Sequence, residues 1–171
     1  THYVYDARDR LLSRTDPDTT VISYLYDALG NRTAVTTPAG ITTYAFDALG
    51  RQTTVTDPDG GVTRYTYDAA GDLLRTQLPN GTVETRAYDD LNRLVFLENS
   101  NASGVIFSYS YFLAPTGRRD AVVEDTGRSV DYSYDGLDRL TREKIIDAIF
   151  GDRTIDYTYD AVGNRLTRVD S

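Results

Sequence analysis

The 171-residue chain has no cysteine, no methionine and no tryptophan, and it carries one histidine, His2, and one lysine, Lys144. Without cysteine there is no disulfide framework, no thiolate zinc site and no redox centre. Ser-His-Asp or Cys-His catalysis needs a histidine, and His2 stands near a terminus, where fraying is expected. No apolar run approaches the ~20 residues of a membrane-spanning helix, and no signal peptide opens the sequence. There is no Gly-x-Gly-x-x-Gly and no Walker A loop. Neither a cofactor nor a catalytic site is expected.

The formal charge is −8, and the seventeen arginines are scattered rather than clustered. Nucleic acid needs a concentrated Lys/Arg footprint, so it is not an expected partner. Arg75, Arg86 and Arg128 are expected to pair with carboxylates across strands, each pair contributing ~0–1 kcal/mol. Asp16-Pro17-Asp18 and Asp57-Pro58-Asp59-Gly60 offer oxygens to calcium but lack the remaining ligands of a calcium loop, including its distal Glu. No metal centre is expected. Asp125-Thr126-Gly127 spells the aspartic-protease triplet, yet it fills a turn slot that sibling segments fill with Pro-x-Gly. Asn31-Arg32-Thr33, Asn80-Gly81-Thr82 and Asn101-Ala102-Ser103 fit the glycosylation sequon, but turns are rich in these residues in any case.

What the chain has in quantity is tyrosine, and all fourteen lie in one recurring phrase, Tyr-x-Tyr-Asp or a variant of it. The copies are Tyr3-Val4-Tyr5-Asp6, Tyr24-Leu25-Tyr26-Asp27, Tyr44-Ala45-Phe46-Asp47, Tyr65-Thr66-Tyr67-Asp68, Arg86-Ala87-Tyr88-Asp89, Tyr109-Ser110-Tyr111-Phe112, Tyr132-Ser133-Tyr134-Asp135 and Tyr157-Thr158-Tyr159-Asp160. Taking Asp6, Asp27, Asp47, Asp68, Asp89, Phe112, Asp135 and Asp160 as anchors, the spacings are 21, 20, 21, 21, 23, 23 and 25. A near-constant period over the whole chain is the mark of a repeat architecture. It predicts a single array of eight repeats over residues 1–171 with no internal domain boundary, and the chain reads as a piece of a longer polypeptide.

Three residues after the anchors stand Asp9, Gly30, Gly50, Gly71, Asn92, Asp138 and Gly163, with Gly117 slightly later in the sixth copy. These types accept a left-handed backbone, which predicts a tight turn. About ten residues on in each repeat comes a second turn signal, such as Thr37-Pro38-Ala39-Gly40 or Leu78-Pro79-Asn80-Gly81. Between the turns lie short runs rich in Thr, Val, Ile and Tyr, partly alternating with period two, which predict strands. Each repeat of roughly 21 residues is thus a pair of strands, about sixteen in all.

The expected fold is all-β: tandem antiparallel hairpins forming a long curved or spiralling sheet. In such a sheet Tyr24 and Tyr26, Tyr65 and Tyr67, Tyr132 and Tyr134, and Tyr157 and Tyr159 fall pairwise on one face with Tyr44, forming an aromatic stripe. The apolar residue two after the anchor (Leu29, Leu49, Leu91, Leu137, Val162) is expected to pin each turn onto that stripe. The fifth to seventh copies depart from the pattern, with Arg86 for Tyr, Phe112 for Asp and the insertion Lys144–Phe150. A bulge, a longer hairpin or a contact surface is expected there. Ile145, Ile146, Ile149 and Phe150 are the residues expected to touch a neighbour.

Tyr24-Leu25-Tyr26-Asp27-Ala28-Leu29-Gly30-Asn31-Arg32-Thr33 and Tyr157-Thr158-Tyr159-Asp160-Ala161-Val162-Gly163-Asn164-Arg165-Leu166 closely resemble the RHS/YD repeat family, and the resemblance runs through the whole chain. That family includes bacterial polymorphic toxins, shell components of Tc toxins and teneurin receptors. The resemblance implies an antiparallel sheet that spirals into a hollow shell around a C-terminal toxic domain, in a secreted or surface protein. A sheet of more than ~10 strands must in any case curl, split or flatten. The conserved closing segment of the toxins and its self-cleavage site have no counterpart here.

The implied partners are flanking repeats of the same polypeptide or copies of the chain itself, and an enclosed toxin domain. Two alternatives remain open on the residues. Exposed aromatic rows stack on sugars, which would make a glycan-binding cell-contact module. Two open edge strands favour end-to-end pairing, which would make an extracellular fibre or sheath subunit.

Overall fold

In the computed structural model, which describes residues 1–171, the chain is all strand and turn, with sixteen strands and no helix. It divides into two compact units, Thr1–Thr82 and Val83–Ser171, a division that the even spacing of the sequence does not mark. The first unit holds β1 (His2–Tyr5), β2 (Leu11–Thr15), β3 (Val21–Tyr26), β4 (Arg32–Thr37), β5 (Gly40–Phe46), β6 (Gln52–Thr56), β7 (Val62–Tyr67) and β8 (Leu73–Gln77). The second holds β9 (Val83–Tyr88), β10 (Leu94–Asn101), β11 (Gly104–Leu113), β12 (Arg119–Glu124), β13 (Ser129–Tyr134), β14 (Leu140–Ile146), β15 (Arg153–Tyr159) and β16 (Arg165–Asp170). Within each unit every strand pairs antiparallel with the next.

The two turn signals behave differently. Asp6, Asp27, Asp47, Asp68, Asp89, Asp135 and Asp160 each open a turn in which the residue three on donates its N–H to the Asp carbonyl. That third residue is left-handed every time, from Asp9 at φ 57° to Gly71 at φ 101°. Every hairpin made by such an Asp turn carries a β-bulge at one register. In β3–β4, Leu25 faces Ala34 and Tyr26 faces Arg32, leaving Thr33 as the extra residue. Leu12, Thr53, Leu74, Val95, Asp120, Thr141 and Leu166 are its equivalents. Of the hairpins made by the second turns, β2–β3, β4–β5, β6–β7, β12–β13 and β14–β15 keep an unbroken register. Among the second turns Thr19, at φ 68°, holds the left-handed place that glycine holds in the others.

The sixth copy corrects the expected anchor. The turn hydrogen bonds there belong to Ala114, whose N–H donates to the Arg118 carbonyl at 2.8 Å and whose carbonyl accepts from Gly117 at 2.9 Å. Ala114, not Phe112, therefore stands where the other copies have Asp, and Tyr111 and Leu113 take the two Tyr places. The degenerate copies also contain the longer hairpin, β10–β11, with a further register shift that leaves out Ile106. The bulge expected only there is a feature of all eight copies.

The sheet is thin, and its Tyr side chains are mostly half-buried. The apolar centre of the second unit is Val122, Val130, Ile145 and Ile155, with Tyr109, Tyr111, Tyr132 and Tyr157 packed around them. Ile145 is 3% exposed, which removes it from the surface contact expected of it. The leucines expected to pin the turns do not do so: Leu29, Leu49, Leu91, Leu137 and Val162 are between 67% and 84% exposed. Their backbone position explains this. In Asp47-Ala48-Leu49-Gly50 the Leu49 N–H is held by the Asp47 carboxylate at 2.9 Å, so the Asp fixes the turn and the side chain points outward.

Candidate functional site

The recurrent site is a tie between successive Asp turns. It begins with the carboxylate: Asp6 Oδ1 accepts the N–H groups of Arg8 and Arg10 at 2.8 and 3.0 Å. Its Oδ2 accepts Nε of Arg10 at 2.7 Å. Held this way, the Arg10 guanidinium crosses to the next repeat and donates Nη1–H to the Asp27 carbonyl at 3.1 Å. Its plane lies over the Tyr26 ring, 4.7 Å from the centroid. Tyr26 returns the contact, its hydroxyl donating to the Leu11 carbonyl at 3.0 Å. A planar, five-donor guanidinium can bond a carboxylate, bond a carbonyl and cover a ring together, which a lysine cannot.

The same arrangement recurs. Arg51 binds Asp47 at 2.7 Å, the Asp68 carbonyl at 2.9 Å and the Tyr67 ring at 4.7 Å, and Tyr67 donates to the Gln52 carbonyl at 2.8 Å. Arg139 binds Asp135 at 2.7 Å, the Asp160 carbonyl at 3.0 Å and the Tyr159 ring at 4.9 Å, and Tyr159 donates to the Leu140 carbonyl at 2.7 Å. Arg93 binds Asp89 and reaches the Ala114 carbonyl at 2.9 Å. Arg118, with Ala114 in place of Asp, lies 4.4 Å over Tyr134 and bonds Asp138 at 2.5 Å.

Two copies have asparagine instead. Asn31 and Asn164 donate Nδ2–H to Asp27 and Asp160, each at 2.9 Å, and neither reaches a following turn. One copy has Asp72, whose Oδ2 is buried without a hydrogen-bond partner. A second set of arginines, one residue further on, covers the other tyrosine of the phrase. Arg32 lies 5.8 Å from both Tyr24 and Tyr44, Arg119 lies 4.7 Å from Tyr111, and Arg165 lies 5.8 Å from Tyr157.

These bonds set the carboxylate electrostatics. The N–H of the residue at the fourth place is the largest influence holding Asp6, Asp47 and Asp135 below the usual aspartate range. For Asp89 the Arg93 side chain leads, and for Asp27 and Asp160 the asparagine side chain does.

Of the residues expected from the sequence, Tyr26, Tyr67, Tyr134 and Tyr159 are in the tie, and Asp27, Asp47, Asp68, Asp135 and Asp160 hold its turns. Gly30, Gly50, Gly71 and Gly163 supply left-handed turn positions. Tyr24, Tyr44, Tyr65, Tyr132 and Tyr157 are half-buried on the strands, and Tyr157 donates to Glu143 at 2.7 Å.

In the insertion, Ile146, Ile149 and Phe150 are 39%, 73% and 88% exposed. The buried Asp147 carboxylate accepts the N–H groups of Ile149 and Phe150 and so shapes this loop. The arginines at the fourth place were not singled out from the sequence. Their signal was the recurrence of Arg10, Arg51, Arg93, Arg118 and Arg139 at one offset from the turn. Of the expected cross-strand pairs, Arg128 makes its own, with Glu124 across the β12–β13 turn and with Asp147 next to β14, whereas Arg86 pairs with Glu84 on its own strand and Arg75 pairs with no carboxylate.

A profile of the RHS repeat matches residues 5–43, 28–62, 46–83 and 67–98, together more than half of the chain. The chain belongs to the RHS repeat family. Solved structures carry the same fold into the second unit of this RHS chain. The TcdB2-TccC3 structure has a TM-score of 0.75 at 19% identity over 98% of this chain. TcdB2-TccC3 without its hypervariable C-terminal region gives 0.74 at 16% over 99%. The Tc holotoxin pore of Photorhabdus luminescens gives 0.72 at 20% over 91%. This RHS segment spans 11%, 10% and 9% of those chains. No curated protein matches the sequence.

Proposed function

We propose that this RHS chain is a non-catalytic stretch of shell wall, an array of eight repeats whose parent protein is secreted or surface-displayed and encloses a toxin or other cargo. The observation that carries this reading is the constant placing of the bulge. The seven Asp-turn hairpins and the Ala114 hairpin all carry their bulge at the same register. A bulge bends and twists its strand, so the same local bend recurs in successive hairpins of each unit, as a curved wall requires. Where an arginine stands at the fourth place, it joins its turn to the next, which suits a structure built by extension. Fold likeness to the Tc structures supports the reading further.

The test is to isolate the natural polypeptide, treat it with protease, and image it by electron microscopy. A hollow particle containing density, with a segment beyond Ser171 protected until the particle is opened, is the expected result. A polypeptide made only of repeats, without a lumen, would remove the enclosing role.

A further inference from the structure

In the four turns that combine an opening Asp with an arginine at the fourth place, three donors hold the carboxylate. Oδ1 accepts the N–H of the second residue, Arg8, Leu49, Leu91 or Leu137, at 2.8–2.9 Å. It also accepts the arginine's own N–H at 2.9–3.0 Å. Oδ2 accepts the arginine Nε at 2.7 Å in all four. Backbone N–H groups that converge in such a turn make an anion-binding concavity, and each of these repeats fills it with its own side chain.

The sixth turn keeps the donors and lacks the acid. Ala114 opens it, Gly117 is left-handed at φ 89°, and Arg118 stands at the fourth place. The Arg93 tie to the Ala114 carbonyl at 2.9 Å holds this turn as its equivalents hold the Asp turns. The N–H groups of Thr116 and Arg118 meet no acceptor in the chain. Arg118 Nε is buried without a hydrogen bond. Asp120 Oδ1 lies 3.5 Å from that nitrogen, and Asp138 bonds Nη1 instead. Three donors thus converge on the place where a sibling repeat has its carboxylate.

We propose that the Ala114 turn is a binding site for a carboxylate group supplied from outside the repeat, by a free organic acid or by an acidic side chain. One ligand oxygen accepts the Thr116 and Arg118 N–H groups, and the other accepts Arg118 Nε in a charge-assisted bond. Donors left unpaired away from water are costly, so an anion that satisfies all three is favoured over one that reaches fewer. Solvent can reach the place, since the side chains of Asp6, Asp47, Asp89 and Asp135 are 18–24% exposed there. The seven Asp turns are closed to such a ligand, because their own carboxylate already accepts the fourth-place N–H. The site belongs to one turn and stands apart from whether a shell forms.

The experiment is a titration of the full chain with sodium acetate, against sodium chloride at matched ionic strength, followed by the NMR signals of the turn amides and of Arg118 Nε–H. Acetate is expected to shift the Thr116 and Arg118 signals saturably while the fourth-place amides of the Asp turns stay in place. Chloride should not reproduce the effect. A114D, which puts the acid on the chain itself, should show the shifted signals before acetate is added and lose its response to it. No saturable shift at Thr116 and Arg118, the same shift with chloride, or an unchanged response in A114D overturns the proposal.

D120N gives a second check that does not depend on how A114D folds. It removes the carboxylate 3.5 Å from Arg118 Nε, so it should bind acetate more tightly than the parent, and equal or weaker binding overturns the proposal. A blocked aspartate, N-acetyl-Asp-N-methylamide, separates the two sources of the carboxylate. Binding about tenfold tighter than acetate would support an acidic side chain of a polypeptide as the ligand, and binding equal to acetate would support a free acid.

Discussion

Arg51 holds two repeats together through Tyr67: its guanidinium lies 4.7 Å over the ring while Nη1 bonds the Asp68 carbonyl at 2.9 Å. The Tyr67 hydroxyl closes the circuit on the Gln52 carbonyl at 2.8 Å. Tyr and Asp are the letters by which the repeat is recognised, but the residue that converts them into a joint is the arginine four places on.

Separating the parts of that joint is a direct test. Tyr67→Phe deletes one hydrogen bond and should lower stability by about 1 kcal/mol. Arg51→Lys keeps the charge but loses the fork and most of the ring contact, the latter worth ~0.5–1 kcal/mol. The double variant should lose less than the sum, because both changes act on one contact. Urea midpoints of the four proteins measure this, and strict additivity would show the ring and the guanidinium to be uncoupled.

Acid should loosen the turns. Asp6, Asp47 and Asp135 are held below the ordinary aspartate value first by the N–H of the fourth-place residue and by its guanidinium. Carboxylates depressed in the folded state contribute stability that is complete above their unfolded value, about 3.9. That stability is lost as pH falls through their lower folded values. The unfolding midpoint should therefore be level at neutral pH and decline below about pH 4. The triple variant D6N/D47N/D135N should start lower and decline less steeply, and an unchanged acid limb in that variant would show that other groups set it.

Much of this arrangement could be read from the residues. Gly, Asn and Asp at the third place announce left-handed turns because few other residues tolerate them, and the structure has such a turn at each. Strand pairing followed from turn spacing and from Thr, Val and Tyr between the turns. Other features depended on neighbours that are distant in sequence. Nothing in Leu49 says that its side chain points outward, because that depends on how Asp47 fastens the turn. Ile145 and Ile146 look alike in the sequence, but alternation along β14 buries the first and leaves the second 39% exposed. The sixth anchor is not legible in the sequence, because the first residue of its turn, Ala114, has no carboxylate to mark it and Phe112 falls at the expected spacing.

Asp72 is the least well matched member of its series. Where Asn31 and Asn164 donate to their turn carboxylates at 2.9 Å, Asp72 brings a second carboxylate beside Asp68 and leaves Oδ2 buried without a partner. Asp72→Asn supplies the missing donor with hardly any change of shape. It should raise stability by about 1 kcal/mol, read as a higher urea midpoint with an unchanged slope. A neutral or lower midpoint would mean that the Asp72 carboxylate is better satisfied in solution than its surroundings here allow.

Burial in a sheet this thin should divide apolar residues sharply by cost. Ile145, 3% exposed, packs with Val122, Val130 and Ile155, so Ile145→Ala should cost about 2 kcal/mol or more. Leu137, in the same repeat but 74% exposed at its turn, should tolerate Ser with a change within about 0.5 kcal/mol. Thermal unfolding of the two variants compares them directly, since both changes remove a branched aliphatic side chain. If Leu137→Ser costs as much as Ile145→Ala, the turn leucines are covered in solution, and the Asp carboxylates are not the only groups that fasten the turns.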